Sequence, residues 1–549
     1  MDLLESTTFT SLVTDLMRQN KIPGLSIAII HNDEVASTGY GLADYQNNTP
    51  CTGDTLFDIA SCAKSLTAAS VALLAEDKDY PEVHYEALMS DLLPDDFVMS
   101  EKSYTDGITV EDVLSHRTGM ANHNDAFMGP NAAHPDSAKS VTRNLRNLKP
   151  AAPLRSRYLY CNQMYTVATH LVEVKSKKSF AEFLDERIFA PLNMTSTTLQ
   201  PASAYVKGWG HRMANGYIWQ NNAWRGFDSQ DCPEGQGAGS VISSANDFIK
   251  WVKALLYREG PINDRVHQGL TKLRSIVNPN ARRLKAHTTP AIYTAGMEVY
   301  YYRGNMVIGH DGTIPGFRSR FMFMPDSKFG AVVLGNSAGA GGAATTIIRA
   351  LMDEILGVPM EQRSSRNMKQ AQKKDLALHS KPHRDDKKDS QARMNEKPQT
   401  RTLHSDQYGN KNKDSQHKKK PQLQEQKEQG EKPTNHEKPP PPHQEKPLEA
   451  YVGRFWNAGY RVMTVTTKDN QLFIDATDRS NGFTMTFEHV SDQTEYIAHA
   501  RDAIELEDEP IDARFVFKDG KAIKMGLDLE PAIREMIWFE RDDSGSQFI

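Results

Sequence analysis

Ser61 and Lys64 stand three residues apart at the head of an apolar helical run (Leu66, Ala69, Ser70, Leu73, Leu74), so they share one helix face. A serine hydroxyl is a poor nucleophile until a neighbour removes its proton. A lysine amine does this only when burial or nearby positive charge lowers its pKa. A serine at a helix N-terminus also leaves its own backbone N–H free to face an oxyanion. The pair therefore suits nucleophilic catalysis. Alone, the pattern is better read as an N-cap serine and a surface lysine, and a second copy, Ser415-Gln416-His417-Lys418, stands in a polar tract. Two further groupings bear on the choice. Tyr160-Cys161-Asn162 just precedes a helical pattern through Val167 to Val174. His310-Asp311-Gly312-Thr313 opens a strand-rich region.

In this order and spacing, Ser61-x-x-Lys64, Tyr160-x-Asn162 and His310-x-Gly312 resemble the three motifs of the serine β-lactamase and penicillin-binding-protein superfamily. The resemblance is to the branch near class C β-lactamases and their esterase and D-aminopeptidase relatives. It extends over nearly all of 1–359. Ile22-Pro23-Gly24, the loop Leu114 to Met120, the Gly-rich stretch Gly237 to Asp247 and the segment Gly309 to Gly316 all fit it. It implies that Ser61 attacks a carbonyl and becomes acylated, and that Lys64 activates it or orients the tyrosine. It implies Tyr160 as base or proton shuttle, a phenolate stabilised by nearby positive charge. Asn162 would hold Lys64 and a substrate amide, and His310 takes the third-motif position. The backbone N–H groups of Ser61 and Thr313 would form the oxyanion hole. Where β-lactam-recognising members carry a lysine near the substrate carboxylate, this chain has His310, bulkier and less reliably charged near neutrality. That replacement points away from β-lactam hydrolysis. Cys62 and Cys161 fill variable motif positions and are expected to pack.

The elements that must position these residues follow from periodicity. Phe9 to Met17 reads as an amphipathic helix, Gly24–Ile30 as a buried strand with Val35–Tyr40 as its hairpin partner. Helical patterns dominate from Ser61 to about Leu256. Strand character returns at Ala291–Tyr302, Asn305–Ile308, Ser319–Met324 and Gly330–Leu334, followed by a helix from Thr345 to Leu356. Strands at both ends with helices between predict an α+β domain over 1–359 whose one sheet is built from both termini; the resemblance implies that this sheet is antiparallel and flanked by helices, with an all-helical region.

The chain of 549 residues has a formal net charge of −5. That average hides a basic tract: residues 361–446 hold 21 Lys and Arg against 13 Asp and Glu, while the rest carries 44 against 57. With one aromatic, Tyr408, and a run of prolines at its end, the tract cannot bury enough apolar surface to fold. It reads as a disordered low-complexity linker over 360–447, and its six dispersed histidines as solvated. Residues 448–549 return to short alternating segments, among them Val462–Thr466, Phe483–His489, Ala513–Phe517 and Met536–Glu540. These predict a small antiparallel sandwich or barrel. From Tyr451-Val452-Gly453-Arg454-Phe455 onward this region resembles the lipocalin-like barrel appended to some peptidase relatives, which implies a cover over the site mouth, a surface for homo-oligomers or a passive stabilising module.

The acidic balance of the folded parts argues against nucleic-acid binding. No stretch reaches the roughly 18–20 apolar residues of a membrane span, and the N-terminus lacks a leader-like pattern. Four scattered cysteines form neither a disulfide framework nor a zinc pattern. Taken with the resemblance, these exclusions predict a cytoplasmic serine hydrolase without cofactor or metal. It is expected to act through an acyl-enzyme on an amide or ester of a small molecule, with D-amino-acid peptides or a secondary metabolite foremost. The alternatives are an acyltransferase using the same intermediate and an inactive scaffold that kept the fold.

Overall fold

A computed structural model describes residues 3–363 and 444–543. The N-terminal part is built on a nine-stranded antiparallel sheet. Its order, edge to edge, is Thr49–Pro50, Glu34–Asp44, Gly24–His31, Phe329–Gly335, Phe317–Met324, Asn305–Ile314, Glu298–Tyr302, Ile292–Tyr293 and Ser275–Ile276. The first and last long strands are neighbours, with Ile27 opposite Val333. The chain ends meet in mid-sheet, as the strands at both termini predict. Gly24–His31 and Phe329–Gly335 are buried almost throughout. Apolar residues facing both sides of a strand require cover on both sides.

One face is covered by the helices Thr7–Gln19 and Ala340–Ile355. They pack Phe9, Val13, Leu16, Ile347 and Leu351 onto Ile27, Ile29, Ala331 and Val333. The second helix begins before Thr345, because its small residues Ala340 to Ala344 continue the same buried stripe. The other face carries Ala245–Tyr257 and the helical region, at whose centre lies Lys64–Ala75. That helix is buried from Lys64 to Leu74, polar residues included. A helix buried all round does not show amphipathic period, and here every face meets protein.

The periodicity did not predict the strands in and just before the helical stretch: a three-stranded sheet of Leu56–Asp58, Val241–Ser244 and Thr198–Leu199, and the hairpin Gly216–Gln220 with Ala223–Phe227. The small sheet ties the residues just before Ser61 to the Gly-rich stretch, Phe57 pairing with Ser243.

The C-terminal part is a closed barrel of eight antiparallel strands: Gly453–Asn457, Arg461–Lys468, Gln471–Ala476, Phe483–Ser491, Glu495–Asp502, Asp508–Lys518, Lys521–Leu527 and Ile537–Arg541. The first strand closes it, pairing Phe455 with Arg541. Full closure removes the exposed sheet edges that a small β domain otherwise carries. Rings of Tyr451, Phe455, Phe487, Tyr496 and Phe515 meet mostly edge-to-face inside it. Of the disordered linker expected over 360–447, residues 364–443, which hold the second Ser-x-x-Lys copy and the histidines, lie outside the described residues, while Met360–Gln362 form a 3-10 turn. Among the described residues no helix is long and apolar enough to cross a membrane.

Candidate active site

Ser61 sits in a single 3-10 turn, Ala60–Ala63, that feeds directly into the helix Lys64–Ala75. Ala60 has φ of +47°, a left-handed conformation rare for alanine. Asp58 secures it: its carboxylate accepts from the Ala60 N–H at 2.7 Å. Burial raises the Asp58 pKa to about 7. The strand Asn305–Ile314 presses on this turn at Gly312. A Cβ there would lie 2.5 Å from the Ile59 carbonyl oxygen and 2.0 Å from Ser319 Oγ. Ser319 Oγ in turn donates to the Ile59 carbonyl at 2.6 Å. Glycine at 312 thus lets the third motif, Thr313 included, lie against the nucleophile turn.

Lys64 is fully buried. Its Nζ lies 3.0 Å from Ser61 Oγ, 2.8 Å from Asn162 Oδ1 and 2.8 Å from the Ala238 carbonyl oxygen. It also stands over the rings of Tyr160 and Tyr165, at 4.8 and 5.3 Å. Burial holds its pKa well below the usual lysine value. Tyr160 OH donates to Ser61 Oγ at 2.9 Å. Desolvation pushes the Tyr160 phenol well above its usual pKa. Ser61 Oγ is therefore held between an amine inclined to be neutral and a phenol inclined to keep its proton.

Asn162 is the first residue of the helix Asn162–Ser176. Its backbone N–H, one of the donors a helix start leaves unpaired, reaches Asn122 Oδ1 at 2.9 Å, and its side-chain amide donates to Asn124 Oδ1 at 3.2 Å. The asparagines at 122 and 124 thus fix the carbonyl that receives Lys64.

His310 stands close by without a hydrogen bond to Ser61, Lys64 or Tyr160 among those of the described residues; its ring centroid is 6.4 Å from that of Tyr160. Its Nδ1 faces the Asp311 carbonyl at 2.5 Å, so the proton sits there and Nε2 accepts from Tyr293 OH at 2.9 Å. Burial first, then the nearness of Lys64, lowers the His310 pKa to about 4. Cys62 and Cys161 are both buried, with their thiols pushed up to about 12.

The structure joins Ser61, Lys64, Tyr160 and Asn162 in one set of hydrogen bonds and places His310 beside them. Sequence reasoning missed the Ala238 carbonyl, Tyr293, and the pair Asn122 and Asn124. A backbone carbonyl leaves no side-chain signal, though Gly237-Ala238-Gly239 marks the close approach. Tyr293 is hidden among the alternating aromatics of a strand region.

The barrel docks beside this site. Arg479, almost fully buried, donates from Nε to the Asp125 carbonyl at 3.1 Å, while its Nη2 donates to the carbonyls of Tyr460 and Val462 within the barrel itself. Glu530 accepts from the His123 N–H at 2.8 Å, and the Gly129 N–H donates to the Asp478 carbonyl at 2.9 Å. On the other side Glu505 accepts from the Gly316 N–H at 3.3 Å, next to the third motif.

The family described as Beta-lactamase matches residues 9–353, and a domain of unknown function matches 437–541. An unguisins hydrolase of Aspergillus campestris is 30% identical over 545 residues, 97% of this chain and 91% of its own length. A D-aminopeptidase of Brucella canis is 25% identical over 372 residues, 65% of this chain and 64% of that protein. The octameric penicillin-binding protein homologue from Pyrococcus abyssi shares the fold, with a TM-score of 0.56 at 17% identity, covering 98% of this chain and 100% of that one.

Proposed function

The chain belongs to the β-lactamase family and is a hydrolase of the serine type, and on that premise we propose that it cleaves an amide bond of a small molecule through an acyl-enzyme on Ser61. The observation that carries the reading is the placement of Ser61 Oγ at 3.0 Å from Lys64 Nζ and 2.9 Å from Tyr160 OH.

The proton inventory follows from chemistry. A neutral Lys64 amine has two N–H bonds and one lone pair. The two N–H bonds serve Asn162 Oδ1 and the Ala238 carbonyl; the lone pair faces the Ser61 hydroxyl. Lys64 accepts the serine proton as Oγ attacks the substrate carbonyl. The oxyanion is received by the backbone N–H groups of Ser61 and Thr313. As the carbon–nitrogen bond breaks, the Lys64 ammonium returns the proton through the Tyr160 hydroxyl to the leaving amine. Water, activated along the same path, then releases the acid and restores Ser61. In this reading Tyr160 is a neutral phenol that relays a proton. Its raised pKa favours that role over the phenolate. His310, with its pKa at about 4, presents a neutral imidazole near pH 7.

The relatives' names set the substrate classes to try first: unguisins, and D-amino-acid peptides or amides. For the barrel, its bonds to residues 123–129 and to Gly316 favour a cover over the site mouth over a surface for self-association.

Labelling with a fluorophosphonate probe tests the nucleophile. The label is expected on Ser61 by peptide mapping, with Ser61→Ala folded, unlabelled and inactive. A folded wild-type protein that resists the probe and turns over no amide or ester would overturn the reading. Product analysis with excess amine acceptor separates hydrolysis from acyl transfer.

A further inference from the structure

His116 lies in none of the three motifs, yet it is wholly buried beside all of them. Its φ is +56°, in the left-handed region that a non-glycine residue adopts at a cost and keeps only where the surroundings enforce it. Three contacts show what it is held for. Its carbonyl accepts from the Leu159 N–H at 2.8 Å. Its Nδ1 accepts from the Cys161 N–H at 3.1 Å. Its ring lies against the residue between, with centroids 4.2 Å from the Tyr160 ring and planes 37° apart. One residue thus grips the backbone on both sides of Tyr160 and the face of its ring.

An Nδ1 that accepts from an N–H carries no proton, so the proton is on Nε2. That atom is buried without a hydrogen-bond partner among the described residues. The ring is walled by Tyr158, Tyr165 and Tyr293 besides Tyr160. Protonating Nδ1 would set one N–H against another and release Cys161. Burial, Lys64 and His310 all depress the His116 pKa, keeping the ring in the neutral form that the bond requires.

We propose that His116 is a positioning residue that sets the Tyr160 hydroxyl against Ser61 by clamping residues 159–161 as a neutral Nε2–H tautomer. The proposal rests on the acyl-enzyme reading of Ser61 and Tyr160. A shift of about 1 Å in a reacting group costs on the order of 100-fold in rate, so a loosened Tyr160 is expected to lower kcat more than it raises KM.

The test uses three variants of the full chain with a p-nitrophenyl ester as substrate. His116→Gly relieves the backbone and removes both acceptor and ring. His116→Asn tolerates the left-handed conformation and offers a side-chain carbonyl oxygen to the Cys161 N–H. His116→Phe keeps an aromatic face and loses the acceptor. Expected are a kcat about 10–100-fold lower for Gly and Phe with KM within about 3-fold, and recovery to within about 5-fold of wild type for Asn. In a Tyr160→Phe background the same His116 changes are expected to alter kcat less than about 2-fold, because the hydroxyl they position is gone. Should His116→Phe fail to fold, the comparison of Gly with Asn decides. A His116→Gly variant with wild-type kcat, an Asn variant no better than Gly, or full His116 effects on top of Tyr160→Phe would each overturn the clamp. Activity retained by Ser61→Ala would instead overturn the reading beneath it.

Discussion

Lys64 sets the pH dependence of the proposed chemistry. An amine that must be neutral to take a proton works above its pKa and fails below it. Burial holds that pKa well under the usual lysine value, so kcat/KM is expected to rise with pH through an ionisation well below 10.5 and to fall on its acid side. His310, lowered to about 4, stays neutral through the neutral range and adds no limb there. A pH–rate profile checks both points; a limb near 10.5 would mean that Lys64 is an ordinary ammonium ion. Lys64→Arg, charged at every accessible pH, is expected to lose about 100-fold or more in kcat. The bond from Tyr293 to His310 makes a different prediction. Tyr293→Phe leaves the buried Nε2 without its donor, a loss of about 1–3 kcal/mol in stability. Thermal unfolding is expected to show it clearly while KM for a small ester changes little.

The elements show where sequence reading succeeds and where it runs out. Gly24–Ile30 and Gly330–Leu334 were legible as nearly continuous apolar runs, and Ser319–Met324 by its apolar end before the turn Pro325-Asp326; the last two strands extend one or two residues beyond those bounds, to 317–324 and 329–335. Asn305–Ile314 runs further than its apolar start suggested. Its second half, His310 to Thr313, expected to open the strand-rich region that follows, belongs to this same strand, held extended by ladder bonds to 317–321 and by packing on the nucleophile turn. Ala291–Tyr302 breaks into two strands, since Gly296 at φ of +75° turns the backbone against the Lys64 carbonyl. The opening barrel strand, Gly453–Asn457, carries Arg454 and Trp456 with little alternation and is defined by its partners on both sides. Among site residues, those with reactive side chains at fixed spacing were legible; His116 and Asn122 act through backbone contacts that no spacing reports. Gly312 turns this element-scale view into a prediction. Gly312→Ala sets a Cβ into Ser319 Oγ and the Ile59 carbonyl, an overpacking cost of about 1–3 kcal/mol. The strand must back away from Ala60 and Ser61. Both melting temperature and kcat are therefore expected to drop, in contrast to an alanine at exposed Gly342, where nothing crowds the added carbon.

At the scale of the whole molecule the question is whether the barrel shares in the chemistry. We propose the domain limits 1–359 and 448–549, and excising 364–443 tests them: the variant is expected to fold and to keep its ester hydrolysis. The barrel itself is a different matter. Residues 122–129 hold Asn162 on one side, through Asn122 and Asn124, and meet the barrel on the other, through Arg479, Glu530 and the Asp478 carbonyl. Asn162 then holds Lys64. The chain of contacts from the barrel to the base is thus three residues long, and Arg479 is one of its outer joints, through the bond from Nε to the Asp125 carbonyl. Arg479→Met preserves much of the buried length and removes the donors to three carbonyl oxygens, those of Asp125, Tyr460 and Val462. Bonds from a charged donor contribute about 1.5–3 kcal/mol each when buried, so a lower unfolding temperature is expected. If the barrel steadies the base, kcat should also fall by about 10-fold under conditions where the variant is fully folded, while Ser61 still labels, only more slowly. If instead Arg479→Met melts early but turns over substrate at the wild-type rate, the segment 122–129 keeps its shape without the barrel. The C-terminal domain would then be a stabilising cap with no part in positioning Lys64.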